Sequence, residues 1–153
     1  MKHSARVVCV IALLAASPIA AQVRQETKLT YDVVAHERKN LVMGALDITA
    51  DQAKAFAPMY DEYLAELQAV QARKVDLVKR FLGSYKAMED SQAEQMTDEL
   101  LDLSQDDLDL KRYYTRRFQT VLPARKVLRL WQIENKLDTV VNAELMKDIP
   151  LAN

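Results

Sequence analysis

From Phe56 to Val121 a mostly apolar or aromatic seam recurs every three or four residues, with one short interruption. That repeat restricts the chain to long, paired helices. The first run is Phe56, Tyr60, Tyr63, Leu67, Val70, Lys74, Leu77, Phe81, Ser84 and Met88, in which only Lys74 and Ser84 are polar. The second is Ala93, Met96, Leu100, Leu103, Asp107, Leu110, Tyr114, Arg117 and Val121, with Asp107 and Arg117 as its charged members. Each is the seam of a helix about 45–60 Å long at 1.5 Å per residue. The break between them, Met88-Glu89-Asp90-Ser91, is too short for anything but an antiparallel hairpin.

Charge order supports that orientation. Helix two, about Ala50 to Met88, begins with Asp51, Asp61, Glu62 and Glu66 and ends with Arg73, Lys74, Lys79, Arg80 and Lys86. Helix three, about Gln92 to Val121, has an acidic approach and start, Glu89 to Asp109, and then turns basic through Lys111, Arg112, Arg116 and Arg117. Laid antiparallel, each acidic start faces a basic end. Exposed pairs contribute only a few tenths of a kcal/mol each, so they select orientation rather than hold the fold.

The helix ends carry their own signals. In Leu46-Asp47-Ile48-Thr49-Ala50-Asp51-Gln52, Thr49 and Gln52 form a capping box, Asp51 favours the helix dipole, and Ile48 can staple onto the first turns. Ser91 with Glu94 predicts a second capping box, and Pro58 predicts a kink early in helix two. Helix four starts at Pro123, where proline is tolerated, and runs to about Met146. Its apolar arc, Val127, Leu128, Leu130, Trp131, Ile133, Leu137, Val140, Val141 and Leu145, is wide enough to need more than one neighbour. Helix one, about Val23 to Ala45, has a sparser stripe: Leu29, Val33, Val34, Leu41 and Val42. No segment sustains strand alternation, and both glycines and three of the four prolines lie after position 21. The expected class is all-α: an elongated hairpin flanked by N- and C-terminal helices, four in all.

The first 21 residues are expected to stand apart. Lys2 and Arg6 precede an apolar run, Val7 to Ala16, and then Ser17-Pro18-Ile19-Ala20-Ala21, the layout of a secretory signal peptide cleaved after Ala21. The run is about half the 20 residues a membrane span requires. Residues 22–153 are then a single helical domain, placed in the periplasm and without an integral membrane segment. The only cysteine, Cys9, lies within the leader, so no disulfide is expected in the mature chain. Loss of Lys2 and Arg6 leaves 19 basic residues against 22 acidic ones, a net charge of −3, which does not suggest a nucleic-acid partner.

Catalytic and cofactor signatures are weak. His36-Glu37 opens like a zinc-binding helix, but Asn40 stands where the second histidine is needed. Asp106-Asp107-Asp109 lacks the glycine turn and later glutamate of a calcium loop and reads as a solvated helix face. There is no nucleophile elbow and no glycine-rich phosphate loop. The expectation is a non-enzymatic protein with no cofactor and no metal.

The residues that suggest contact with other proteins are basic and aromatic. Adjacent Tyr113 and Tyr114 diverge by about 100° on a helix, so both cannot face one core. One of them lies either on an apolar surface patch beside Arg112, Arg116 and Arg117, or in a rim whose side chains snorkel around the core. The basic run continues with Arg125, Lys126 and Arg129. The candidate client or partner contacts are Arg112, Tyr113, Arg116, Arg117, Arg125 and Arg129.

The order of elements, from leader through Ile48-Thr49-Ala50-Asp51-Gln52 and a long hairpin to Leu122-Pro123-Ala124-Arg125-Lys126 and a last helix, resembles the Spy/CpxP family of periplasmic proteins. That family carries an L-T-x-x-Q motif at a helix start and a second copy further on. Ile48, Thr49 and Gln52 match the first copy with Ile for Leu. The second place lacks both Thr and Gln. The resemblance implies a cradle-shaped helical protein, usually a homodimer formed by antiparallel helices, that chaperones unfolded envelope proteins without ATP, damps an envelope-stress sensor or senses metal. This chain is acidic where the chaperone members are basic, and it lacks the histidines and cysteines of the metal sensors. Two rival readings are a dedicated interaction protein that binds one envelope partner, such as a sensor domain, through the wide face of helix four, and a structural dimer with no client.

Overall fold

The computed structural model describes residues 37–146 and 149–152. The expected leader, most of helix one and His36 lie outside the described residues. Four α-helices are seen: α1 (described over 37–45), α2 (Ala50–Ser84), α3 (Asp90–Phe118) and α4 (Ala124–Met146), with a short 3-10 turn at Tyr85–Ala87. No strand occurs among the described residues.

Helix α2 starts as the sequence predicts. The Thr49 hydroxyl accepts from the Gln52 amide at 3.2 Å, and the Gln52 side-chain oxygen accepts from the Thr49 amide at 3.1 Å. Ahead of the cap, Asp47 takes a positive φ of 52°, a left-handed conformation that Asp tolerates better than most residues. That reversal turns α1 back onto the bundle. The helix then continues unbroken past the exposed Pro58.

Helices α2 and α3 pack as an antiparallel hairpin. Arg117 meets Glu62 at the base, Arg73 meets Asp106 at 2.6 Å further out, and Arg80 meets Glu99 at 2.6 Å near the tip. A step forward along α2 is matched by a step back along α3, and each basic end meets an acidic start. The polar seam positions Lys74 and Asp107 pair with each other at 3.5 Å. Ser84, the other polar seam position of α2, turns its hydroxyl to the Arg80 carbonyl at 3.0 Å.

The core lies at the base of the hairpin. Phe56, Tyr60 and Tyr63 of α2 pack with Tyr114 and Phe118 of α3, and Trp131 of α4 closes the cluster edge-on to Tyr63 at 5.6 Å between ring centroids. Edge-to-face and offset pairs suit the ring quadrupoles, adding about 0.5–1.5 kcal/mol each to the area buried. Val42 and Leu46 of the α1 end, Leu122 of the turn, and Val127 and Leu130 of α4 complete it. Helix α4 folds back along the hairpin, and the Trp131 indole donates to the Thr115 hydroxyl at 2.9 Å. Further along the hairpin Leu77 of α2 and Leu103 of α3 are buried.

Three expectations are corrected. The second cap sits two residues earlier than predicted: Glu89 precedes α3, and its amide donates to the Gln92 side chain at 3.4 Å. Helix α2 ends at Ser84 and α3 at Phe118, short of Met88 and Val121. On α3, Leu100 is 53% exposed rather than on the seam, and Phe118 rather than Arg117 fills the buried position at the base. A straight helix drifts about 20° per heptad from a strict seven-residue repeat, so a seam extrapolated over four turns slides off the true face.

Candidate functional site

The six candidate contacts divide between two surfaces. Arg112, Tyr113, Arg116 and Arg117 belong to the last turns of α3. Tyr114 is fully buried and Tyr113 is 53% exposed, so the two rings diverge as their spacing requires. The Arg117 guanidinium lies 5.8 Å from the Tyr113 ring centre and 5.2 Å from that of Tyr114 while it pairs with Glu62, whose hydrogen bond raises the arginine pKa. Arg112 is held by Asp109, one turn back, at 3.2 Å. Two of the three arginines on this surface are thus engaged within the protein.

Arg125 and Arg129 line a different feature, a groove of about 670 Å³ between α1 and α4. Its apolar lining is Leu41 and Ala45 from α1 with Leu128, Ile133 and Leu137 from α4. Leu41 is 48% exposed and Leu128 is 60% exposed. Its charged lining is wholly basic: Arg125, Lys126, Arg129 and Lys136. None of the four α3 candidates reaches it.

The cations of the groove are not equivalent. Lys126 bonds both the carbonyl and the carboxylate of Asp47, the latter at 2.9 Å, and lowers the Asp47 pKa. Arg129 donates to the Ala45 carbonyl at 2.7 Å, at the end of α1, where a helix presents unpaired acceptors. These two fasten the α1–α2 connection to α4. Arg125 and Lys136 form no ion pair with any described residue. They are 11 residues apart, about 16 Å along α4.

Behind the groove wall lies a polar network that the sequence reading did not anticipate. Glu134 of α4 is fully buried; it accepts a hydrogen bond from the Tyr60 phenol and lies 3.5 Å from Arg38 of α1. Arg38 also pairs with Asp138, which meets Lys111 of α3 at 3.4 Å, and Lys111 meets Asp107 at 3.2 Å. All four helices are joined by these contacts. Burial raises the Glu134 pKa even though Arg38 and Tyr60 oppose it. Burial disfavours the Arg38 charge, but Glu134 and Asp138 outweigh it and the arginine pKa is raised. Burial and the Glu134 charge likewise push the Tyr60 and Tyr63 phenols upward, so both stay neutral. The network fixes α1 on α4, and so sets the width of the groove.

Among the described residues, no group of three or more His, Cys, Asp or Glu side chains is disposed to hold a metal ion. No described helix is long and apolar enough to cross a membrane. No family model, curated protein or solved structure matches this chain.

Proposed function

We propose that this is a non-enzymatic, Spy/CpxP-like periplasmic protein that holds unfolded or partner proteins without ATP, and that the α1–α4 groove is where it holds them. The observation that carries this reading is the pairing of exposed leucines, Leu41 and Leu128, with a basic lining in which Arg125 and Lys136 form no ion pair with any described residue. Exposed leucine offers apolar contact, and the cations attract acidic segments and orient them. A groove lined over about 16 Å of α4 accommodates roughly three turns of an amphipathic helix. The second basic surface, Arg112, Tyr113 and Arg116, is an accessory contact on this reading, because Arg117 is committed to Glu62.

Aggregation of a chemically denatured test protein, followed by light scattering, tests the proposal. A molar excess of the protein suppresses the scattering; an unchanged trace contradicts the reading. The rival, a dedicated interaction protein for one envelope partner such as a sensor domain, draws on the same helix, since Val140 of α4 is 53% exposed beyond the groove. Recovery of one stoichiometric partner in a pull-down favours that rival, and a set of weak, mixed clients favours the chaperone.

A further inference from the structure

The α1–α4 groove changes character along its length. On α4, Arg125, Arg129, Ile133 and Leu137 follow one another at four-residue steps, so they form one ridge of the helix, and all four line the groove. The first half of that ridge is cationic and the second half is apolar. Helix α1 runs the opposite way: the Ala45 carbonyl meets Arg129, while Arg38 reaches Glu134 and Asp138. Leu41, between them on α1, therefore stands across from the apolar half. At the cationic end Lys126 is engaged by Asp47, and Arg129 gives only its Nε to the Ala45 carbonyl. Arg125, one turn from Arg129, is exposed and pairs with no described residue.

Size and backbone chemistry select what fits inside. From Arg125 to Leu137 the ridge is about 18 Å long, so a volume of about 670 Å³ corresponds to a mean cross-section of about 40 Å². A helix about 10 Å across needs roughly 80 Å², so a client helix rests on the rim and enters only with its side chains. A methylene chain, with carbon contacts near 4 Å, needs about 15–20 Å² and fits within the walls. Both walls are helices whose backbone groups are already paired, so an extended peptide finds no ladder to complete. An acyl chain has no such groups to satisfy. A volume of this order, with mostly apolar walls and a few convergent polar groups, is the usual form of a small-molecule site.

Going beyond the client reading and independent of it, we propose that the groove binds a free, single-chain anionic amphiphile of the fatty-acid class. Arg125 and Arg129 hold its carboxylate, and its chain lies along Ile133, Leu137 and Leu41. The planar guanidinium fork matches a carboxylate in two hydrogen bonds, which a quaternary ammonium or an alcohol head cannot reproduce. An extended chain advances about 1.25 Å per carbon, so the 18 Å trough takes about 14 carbons. Lys136 lies at the tail end and contributes little to the head contact.

Titration calorimetry of the purified protein with sodium myristate, kept below its micelle concentration, tests the proposal. One myristate binds per chain. Binding tightens by about threefold to tenfold for each two carbons added from octanoate to myristate, and levels off beyond it. Tetradecyltrimethylammonium and tetradecanol, with the same chain length, bind at least about tenfold more weakly. Arg125→Glu weakens myristate binding by about tenfold or more, Lys136→Glu by less than about fivefold, and the Arg112→Glu, Arg116→Glu variant leaves it unchanged. Circular dichroism and thermal melting check that each variant is folded. No myristate binding by the parent protein overturns the proposal, whether a client, a second copy or the chain's own residues 22–36 fill the groove instead. So do binding of many myristates per chain, equal binding of the cationic amphiphile, and sedimentation with phosphatidylglycerol vesicles in a protein that ignores monomeric myristate. The scattering assay separates the two readings. Suppression of aggregation without myristate binding leaves the client reading standing and overturns this one; myristate binding without suppression does the reverse.

Discussion

The Tyr60 phenol on α2 donates a hydrogen bond to the Glu134 carboxylate, 74 positions away on α4, and both side chains are fully buried. A buried carboxylate is costly unless its oxygens are satisfied, so this contact and Arg38 decide how firmly α1 and α4 sit on the hairpin. Glu134→Ala leaves the Tyr60 hydroxyl without its acceptor and opens a cavity. It is expected to lower stability by about 2–4 kcal/mol. Glu134→Gln keeps an acceptor for Tyr60 and removes a buried charge, and should change stability by less than about 1.5 kcal/mol. Urea denaturation with a common slope distinguishes the two.

The same residue sets a pH dependence. Burial raises the folded-state pKa of Glu134 above the ordinary value of 4.5. A carboxyl that is more easily protonated in the fold stabilises it fully below pH 4.5, and this contribution is lost as pH rises through the folded value. The stability of the parent protein relative to Glu134→Gln should therefore decline as pH increases above 4.5. Subtracting the variant cancels the exposed groups, including Asp47 and Asp109, whose pKa values are lowered by their partners. Paired denaturation curves across the acid range check this, and a difference independent of pH contradicts it.

The start of α2 gives a separate, local test. Thr49→Ala removes the hydroxyl that accepts from Gln52 and should cost about 1 kcal/mol. Gln52→Ala removes the return bond and should cost less. Because the two bonds form one motif, the double variant should cost less than the two single ones combined. Denaturation midpoints of the three variants measure this coupling.

Much of the hairpin was legible in the sequence because its signals agree with one another. The aromatic half of each seam, the charge order and the Thr49–Gln52 box all specify the same antiparallel pair. Lys74 and Asp107 even look like flaws on their own helices, and become partners only once the hairpin is formed. Position on a long helix was less legible: Leu100 satisfies a seven-residue repeat but lies off the face that a 3.6-residue turn actually buries. Glu134 was hidden by its neighbours. It stands four after Leu130 and three before Leu137, in the phase of a core residue, and an acid there is the signal that a partner was needed. The candidate contacts were grouped by proximity in sequence, yet the turn from Gln119 to Pro123 separates Arg112–Arg117 from Arg125 and Arg129 onto two helices.

The exposed groove leucines should matter to binding and not to folding. Leu128→Ser and Leu41→Ser together remove apolar contact from the groove wall, where both side chains are about half exposed. Their melting temperature should stay close to that of the parent, since surface substitutions usually shift stability by no more than about 0.5 kcal/mol each. Suppression of client aggregation should be reduced. Equal suppression would move the holding surface away from the groove.

On the proposed reading, Arg125 and Lys136 hold protein segments in the α1–α4 groove. Light scattering of a denatured client is followed with the Arg125→Glu, Lys136→Glu variant, beside an Arg112→Glu, Arg116→Glu variant of equal charge change on α3. The groove variant is expected to lose most of its suppression at an unchanged melting temperature, while the α3 variant keeps most of its own. Equal suppression by the groove variant and the parent, or a larger loss in the α3 variant, would contradict it.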